Sequence, residues 1–179
     1  MNADVSCRVA WADDAPAIAA VQVRAWRASY AEVLPTTLLE ALGVEEISAG
    51  WRDALTSPPD ARNRVLIALE RTLVTGFAVT GPAGDPDCDP VADGEISDLT
   101  VDPHQRRAGH GSRLLQAAVD TLKADRFTRA VTWLGAADDA TRTFLTTAGW
   151  APDGAHRTLD LTGDGSVQVK QVRLHTDLG

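Results

Sequence analysis

The chain has 179 residues, 44% hydrophobic and 23% charged, which suits one globular domain spanning residues 1–179 with a real hydrophobic core. A net charge of −8 argues against binding nucleic acid, which needs a basic face; no apolar stretch reaches the length of a membrane span, and the N-terminus lacks the basic start and apolar core of a signal peptide. The expected location is therefore cytoplasmic, with neither a nucleic acid nor a membrane as partner. Lys123 and Lys170 are the only lysines, and Cys7 and Cys88 fall in no metal-binding or redox spacing, so they read as unrelated free thiols.

In chain order, Cys7 to Trp11 reads as a first short strand. Asp13 and Asp14 offer an N-cap, Pro16 suits a first turn, and Ile18, Val21, Ala25 and Ser29 set a helical stripe through Tyr30. A second helical stretch starts near Thr36, breaks at Gly43 and resumes with Ile47, Trp51 and Leu55 at i, i+4, i+8. Val65 to Leu69 and Leu73 to Thr80 read as a hairpin. Gly81 to Gly94, rich in proline, glycine and aspartate, reads as a mobile excursion between antiparallel strands. Then come a strand from Glu95 to Asp102 and, from Gly111, an amphipathic helix with Leu114, Leu115, Ala118 and Leu122 on one stripe. Arg129 to Leu134 is another strand, Ala140 to Ala148 a short helix ended by Gly149, and Thr158 to Leu161 with Ser166 to Leu174 a last hairpin.

The segment between Asp102-Pro103 and that amphipathic helix carries the chemistry. Gln105-Arg106-Arg107-Ala108-Gly109-His110-Gly111 joins a strand to a helix N-terminus, where backbone N–H groups have no helical acceptor. Those donors, the positive end of the helix dipole and two adjacent arginines suit a phosphate-bearing ligand. It is not a P-loop, because Ser112-Arg113 follows Gly111 where Lys-Ser/Thr is required. It is not a dinucleotide fingerprint either, because the third glycine position is Leu114.

Arg106-x-x-Gly109-x-Gly111, after a strand ending in Val101-Asp102-Pro103, resembles the pyrophosphate-binding motif of the GNAT superfamily of N-acetyltransferases. The element order β-α-α-β-β-β-α-β-α-β-β extends the likeness over nearly the whole chain. The implied fold is α/β (mixed α+β): a mostly antiparallel sheet of about six to seven strands flanked by about four helices, the acyl-CoA N-acyltransferase fold.

The resemblance implies acetyl-CoA as cosubstrate, no metal, and an amine of a small molecule or peptide as acceptor, with a homodimer left open. It implies that Leu99, Thr100 and Val101 contact pantetheine and the acetyl group in a gap between strands. The pyrophosphate would rest on the amides of Arg106, Arg107, Ala108, Gly109, His110, Gly111 and Ser112. Glu95 is the first candidate for the base that deprotonates the amine and Asp98 the second; strand alternation puts the two on opposite faces. Trp26 and Tyr30 lie on a helix that would wall the acceptor site, although aromatics at helical spacing are more often core. Asp138 and Phe144 match positions that contact coenzyme A. Leu145 stands where the family commonly has a tyrosine beside the sulfur, and Asp138 where it has an asparagine. Two functions stay open: an N-acetyltransferase working by direct attack in a ternary complex, or a catalytically weak or inactive acyl-CoA-binding sensor on the same scaffold.

Overall fold

The computed structural model describes residues 4–179. One seven-stranded sheet carries the architecture, in the order β1-β2-β3-β4-β5-β7-β6. Its strands are β1 (Val5–Val9), β2 (Arg64–Glu70), β3 (Leu73–Pro82), β4 (Asp93–Val101), β5 (Arg129–Gly135), β6 (Ala151–Asp160) and β7 (Gln168–Asp177). Every neighbouring pair is antiparallel except β4 with β5, which run parallel. The five helices are α1 (Ala15–Ser29), α2 (Thr36–Glu40), α3 (Val44–Thr56), α4 (His110–Ala124) and α5 (Asp139–Thr147). This is the expected mostly antiparallel α/β fold, with the second helical stretch divided at Gly43 as its sequence indicates. Among the described residues no helix is long and apolar enough to cross a membrane.

Each face of the sheet has its own apolar cluster. On one, the α4 stripe of Leu114, Leu115, Ala118 and Leu122 packs with Leu66, Ala78, Ile96, Ala130, Leu134 and Leu174, and α5 adds Leu145. On the other, Ile18 and Val21 of α1 meet Val65, Ile67, Val74 and Phe77. Trp51 of α3 closes this second cluster, its ring edge-on to Phe77 and its Nε1–H donated to Gln22 Oε1 at 2.7 Å. An indole can be partly buried there because that one polar group is satisfied.

Three segments depart from the sequence expectation. The first strand ends at Val9, and Trp11 is 66% exposed, stacked under Arg8. The Asp14 carboxylate takes the Trp11 N–H at 2.7 Å, which starts a short 3-10 turn and fixes the entry to α1. The last hairpin begins earlier than Thr158: β6 pairs with β7 from Ala151, with a bulge between Pro152 and His156 that absorbs the turn-forming residues there. The loop between β3 and β4 is pinned rather than mobile. Arg173 of β7 reaches Asp85 at 3.1 Å and Asp87 at 2.6 Å, and Trp133 Nε1–H reaches Asp85 at 2.9 Å.

Gly76 marks a tight crossing of backbone between β3 and β4. A Cβ there would lie 2.6 Å from the Thr100 carbonyl oxygen and 3.0 Å from Leu114 Cδ1. The backbone oxygen cannot move aside without breaking the β3–β4 ladder. Gly76→Ala is therefore expected to destabilise the fold by about 1–3 kcal/mol. A fall in denaturant midpoint at unchanged slope would register it; an unchanged midpoint would contradict this packing.

Candidate active site

The parallel pairing of β4 with β5 is brief. It covers Asp93↔Arg129, Gly94↔Ala130 and Glu95↔Val131, and there it stops. The next residue of β5 holds the fork: Thr132 Oγ1–H donates to the Ile96 carbonyl at 2.7 Å. Beyond it β5 goes on paired with β7 as far as Gly135, while β4 stays paired with β3 as far as Val101. From Ser97 to Val101 the edge of β4 away from β3 therefore has no strand beside it. Backbone groups on an unpaired edge can take up an extended ligand as if it were a strand.

A bulge lies at the same place. Val79 pairs with Asp98 and Thr80 with Ile96, so Ser97 has no partner on β3. The extra residue reverses the alternation of the strand. Ile96, Leu99 and Val101 all pack on the α4 side. Glu95 and Asp98, opposite Gly81 and Val79, fall together on the α1 side. The expectation that alternation would separate these carboxylates is thus corrected; one unpaired serine puts both on one face.

Both carboxyls are held above their ordinary range. For Glu95 the cause is burial, opposed by the Gly84 amide, reinforced by the Asp85 charge, and opposed again by Arg157 and Arg173. For Asp98 burial again dominates, opposed by the Thr100 hydroxyl, which donates to it at 2.6 Å. Half-buried Tyr30, at the end of α1, is pushed up by burial and then by the charge of Asp98, so the phenol lies within electrostatic reach of that carboxylate. Trp133 stands on the same face of β5, with the Arg157 guanidinium 4.2 Å above its ring.

At the far end of β4 the chain turns at Asp102, and two residues of the loop that follows have left-handed backbone: Arg107 at φ 64° and Gly109 at φ 81°. This conformation turns successive amides outward ahead of α4. Among the described residues no amide from Arg106 to Ser112 donates to another protein group. Arg106, Arg107, Ala108, Gly109 and Ser112 are exposed. Seven consecutive residues thus offer N–H groups at the positive end of a helix dipole, the arrangement a diphosphate needs.

His110 offers only its amide. Its ring is 1% exposed and turned inward, with Nε2 3.4 Å from Glu70 Oε2. A Cβ on Gly111 would sit 3.6 Å from Val101 Cγ2 and 3.7 Å from Phe144 Cζ, so Phe144 borders the loop. Leu145 is 3% exposed within the core and presents no polar atom. The Asp138 carboxylate is engaged as the cap of α5, taking the Thr141 N–H at 3.0 Å and the Thr141 hydroxyl at 2.6 Å. Trp26 is 36% exposed on α1. The three side chains close enough to share a cation among the described residues, Asp85, Asp87 and Cys88, already surround Arg173.

Sequence reasoning missed Thr132, Trp133, Arg157 and Arg173. Each stands in an ordinary strand, and nothing local distinguishes a threonine at a fork from a threonine in a ladder.

The model of the acetyltransferase (GNAT) family matches residues 22–150. Over 131 residues the chain is 28% identical to an uncharacterized N-acetyltransferase, YuaI, of Bacillus subtilis (strain 168), covering 73% of this chain and 71% of that one. Its fold is similar to the PaiA N-acetyltransferase of Thermoplasma acidophilum solved in complex with coenzyme A, at TM-score 0.71 and 15% identity over 97% of this chain and 99% of that one. It is also similar to YncA, a putative acetyltransferase of Salmonella typhimurium solved with acetyl-CoA, at TM-score 0.70 and 17% identity over 99% and 95%. With the family model covering most of its length, and a forked sheet leading to a loop of free amides, the chain belongs to the GNAT family of N-acetyltransferases.

Proposed function

We propose that the protein moves the acetyl group of acetyl-CoA to a primary amine of a small molecule or peptide, by direct attack within a ternary complex. One observation carries this reading: the unpaired edge of β4 leads straight into the row of free amides from Arg106 to Ser112. An extended thioester arm ending in a diphosphate matches that sequence of donors, with pantetheine along Leu99, Thr100 and Val101 and the diphosphate on the loop. Solved complexes of coenzyme A and acetyl-CoA with similar folds support it.

In this reading the amine approaches from the α1 side, where Glu95 and Asp98 lie. Glu95 accepts the proton of the ammonium, directly or through a water, and the nitrogen then attacks the thioester carbon. A β4 amide near Leu99 or Thr100 donates to the developing oxyanion. The C–N bond forms, the nitrogen gives up its second proton to water, the C–S bond breaks, and the sulfur leaves as thiolate. No side-chain proton is needed at Leu145, because a thiol of pKa about 8.5 is a tolerable leaving group and water can protonate it. Tyr30, within electrostatic reach of Asp98, would line the acceptor side.

The loop is tested at Gly111. An alanine-sized side chain there meets only ordinary contacts, and its backbone is not left-handed as at Gly109. A carboxylate in the first turn also suits the helix dipole. Gly111→Glu should therefore fold and lose acetyl-CoA affinity by more than tenfold in a calorimetric titration. Undiminished affinity in the folded variant would sink the phosphate-loop reading.

The base is tested at Glu95. Glu95→Gln should lower turnover on a panel of amines by roughly 10²–10⁴-fold while acetyl-CoA affinity stays close to wild type. Its rate profile should lose the acidic limb, which in the wild type lies above the range of a free glutamate because burial raises this carboxyl. The linkage sign gives a second readout. A carboxyl raised in the folded state contributes most stability below its unfolded pKa and loses that contribution as pH rises through its folded pKa. At neutral pH, Glu95→Gln should therefore be no less stable than wild type. Tight acetyl-CoA binding by the wild type with no turnover on any amine would favour the sensor instead.

A further inference from the structure

We propose that Arg24 of α1 is a positioning residue for the diphosphate end of the donor: it neutralises Asp102 and holds the turn from which the loop of free amides springs. This rests on the phosphate-loop reading above and deepens it. The Arg24 guanidinium reaches Asp102 Oδ2 through both Nε at 3.0 Å and Nη2 at 2.6 Å, across 78 residues of sequence. The other atoms of Asp102 shape the turn. Oδ1 takes the His104 N–H at 3.0 Å, the backbone carbonyl takes the Gln105 N–H at 2.8 Å, and the backbone N–H donates to the Thr75 carbonyl at 2.8 Å. With 4% exposure, Asp102 is a buried junction of β3, the turn and α1.

Two consequences follow from this placement. The loop between Arg106 and Gly109 is exposed, and Arg113 tethers its helix end, donating from Nη1 to the Ala108 carbonyl at 3.2 Å and from its backbone N–H to the Gly109 carbonyl at 3.2 Å. Its other end hangs from the Asp102 turn, which Arg24 fastens to a helix that is itself fixed: one turn further along, Arg27 donates to the carbonyls of Leu39 at 3.1 Å and Leu42 at 3.3 Å. The second consequence is electrostatic. Asp102 is held below the usual carboxylate range: burial pushes it up, but the Arg24 hydrogen bonds and the His104 amide outweigh burial. An ionised carboxylate at the foot of an anion site repels a diphosphate unless a cation stands beside it. Among the described residues Arg24 is the one arginine or lysine paired with it.

The test compares two donors, acetyl-CoA and S-acetylpantetheine, which carries no diphosphate. Arg24→Met should weaken acetyl-CoA binding roughly tenfold, the scale of coupling between contacting groups, and leave S-acetylpantetheine binding unchanged. Adding Asp102→Asn should restore most of the lost affinity, because asparagine still accepts the His104 N–H but carries no charge to repel the ligand. Should Arg24→Met fail to fold, Arg24→Gln keeps a donor toward Asp102 without the charge and is read the same way. The inference is overturned if the Arg24 variant binds acetyl-CoA as wild type does, if both donors weaken alike, or if the double variant binds no better than the single. A wild type that binds no acetyl-CoA, or a folded Gly111→Glu that binds it normally, overturns the loop reading and this inference with it. Normal Arg24 variants beside a defective Gly111→Glu overturn this inference alone.

Discussion

Parallel pairing of β4 to β5 ends after Glu95, and the hydroxyl of Thr132 takes the carbonyl that the next rung would have used. Opening a sheet at its middle sacrifices ladder hydrogen bonds, so the two halves must be held by something else. The apolar cluster beneath supplies it. Ile96 and Leu114 belong to the same packed group as Ala130, Leu134, Leu145 and Leu174, so the cluster passes unbroken under the gap. The strands separate in backbone pairing while their side chains stay joined through α4. Antiparallel partners on the outer sides, β3 for β4 and β7 for β5, keep each lip hydrogen-bonded. A slot with rigid walls results, and its mouth ends at the N-terminus of α4.

The parts that were legible in the sequence are those whose signal is local. The α4 stripe is legible because burial recurs at helical spacing. The loop is legible because the function proposed for it rests on backbone amides released by glycine and by the helix end, whatever the side chains are. The bulge was not legible: Ile96 to Val101 alternates plausibly with or without an unpaired Ser97, and only the register against β3 decides which. Its effect was large, since it moved Asp98 to the face of Glu95. β6 was hidden for a related reason. Pro152-Asp153-Gly154 has the chemistry of a turn, and an exposed edge strand leaves no apolar alternation to outvote it. Leu145 could be matched to a family position from sequence, but its burial among core residues could not.

Composition also misled on the β3–β4 loop. A run of proline, glycine and aspartate reads as mobile when its carboxylates are assumed to face water. Here they face arginines that arrive from strands far along the chain. Arg173 takes Asp85, Asp87 and Asp153, and Arg129 takes Asp93 and Asp153. A guanidinium can serve several carboxylates at once, which an ammonium does less well. A chain nearly without lysine can thus carry a net negative charge and still compensate its acidic groups locally. The loop is fixed above β4, where its Gly84 amide and Asp85 charge act on Glu95 in opposite directions.

Having both carboxylates on one face bears on how an amine could be both bound and deprotonated there. An alkylammonium near pKa ~10.4 and a carboxylate near ~4 are poorly matched for proton transfer in water. Burial narrows that difference from the carboxylate side, as the raised values of Glu95 and Asp98 indicate. In the proposed reaction an arriving ammonium would restore to these carboxylates the favourable environment that burial removed, so charge would first draw the acceptor in. In the mechanism proposed above, proton transfer to Glu95 would leave a neutral amine beside the thioester, while Asp98 keeps the hydrogen bond of the Thr100 hydroxyl. The two acids need not share one task. The bulge at Ser97 puts both on one face near the fork, so in the proposed reaction one could hold positive charge while the other accepts the proton.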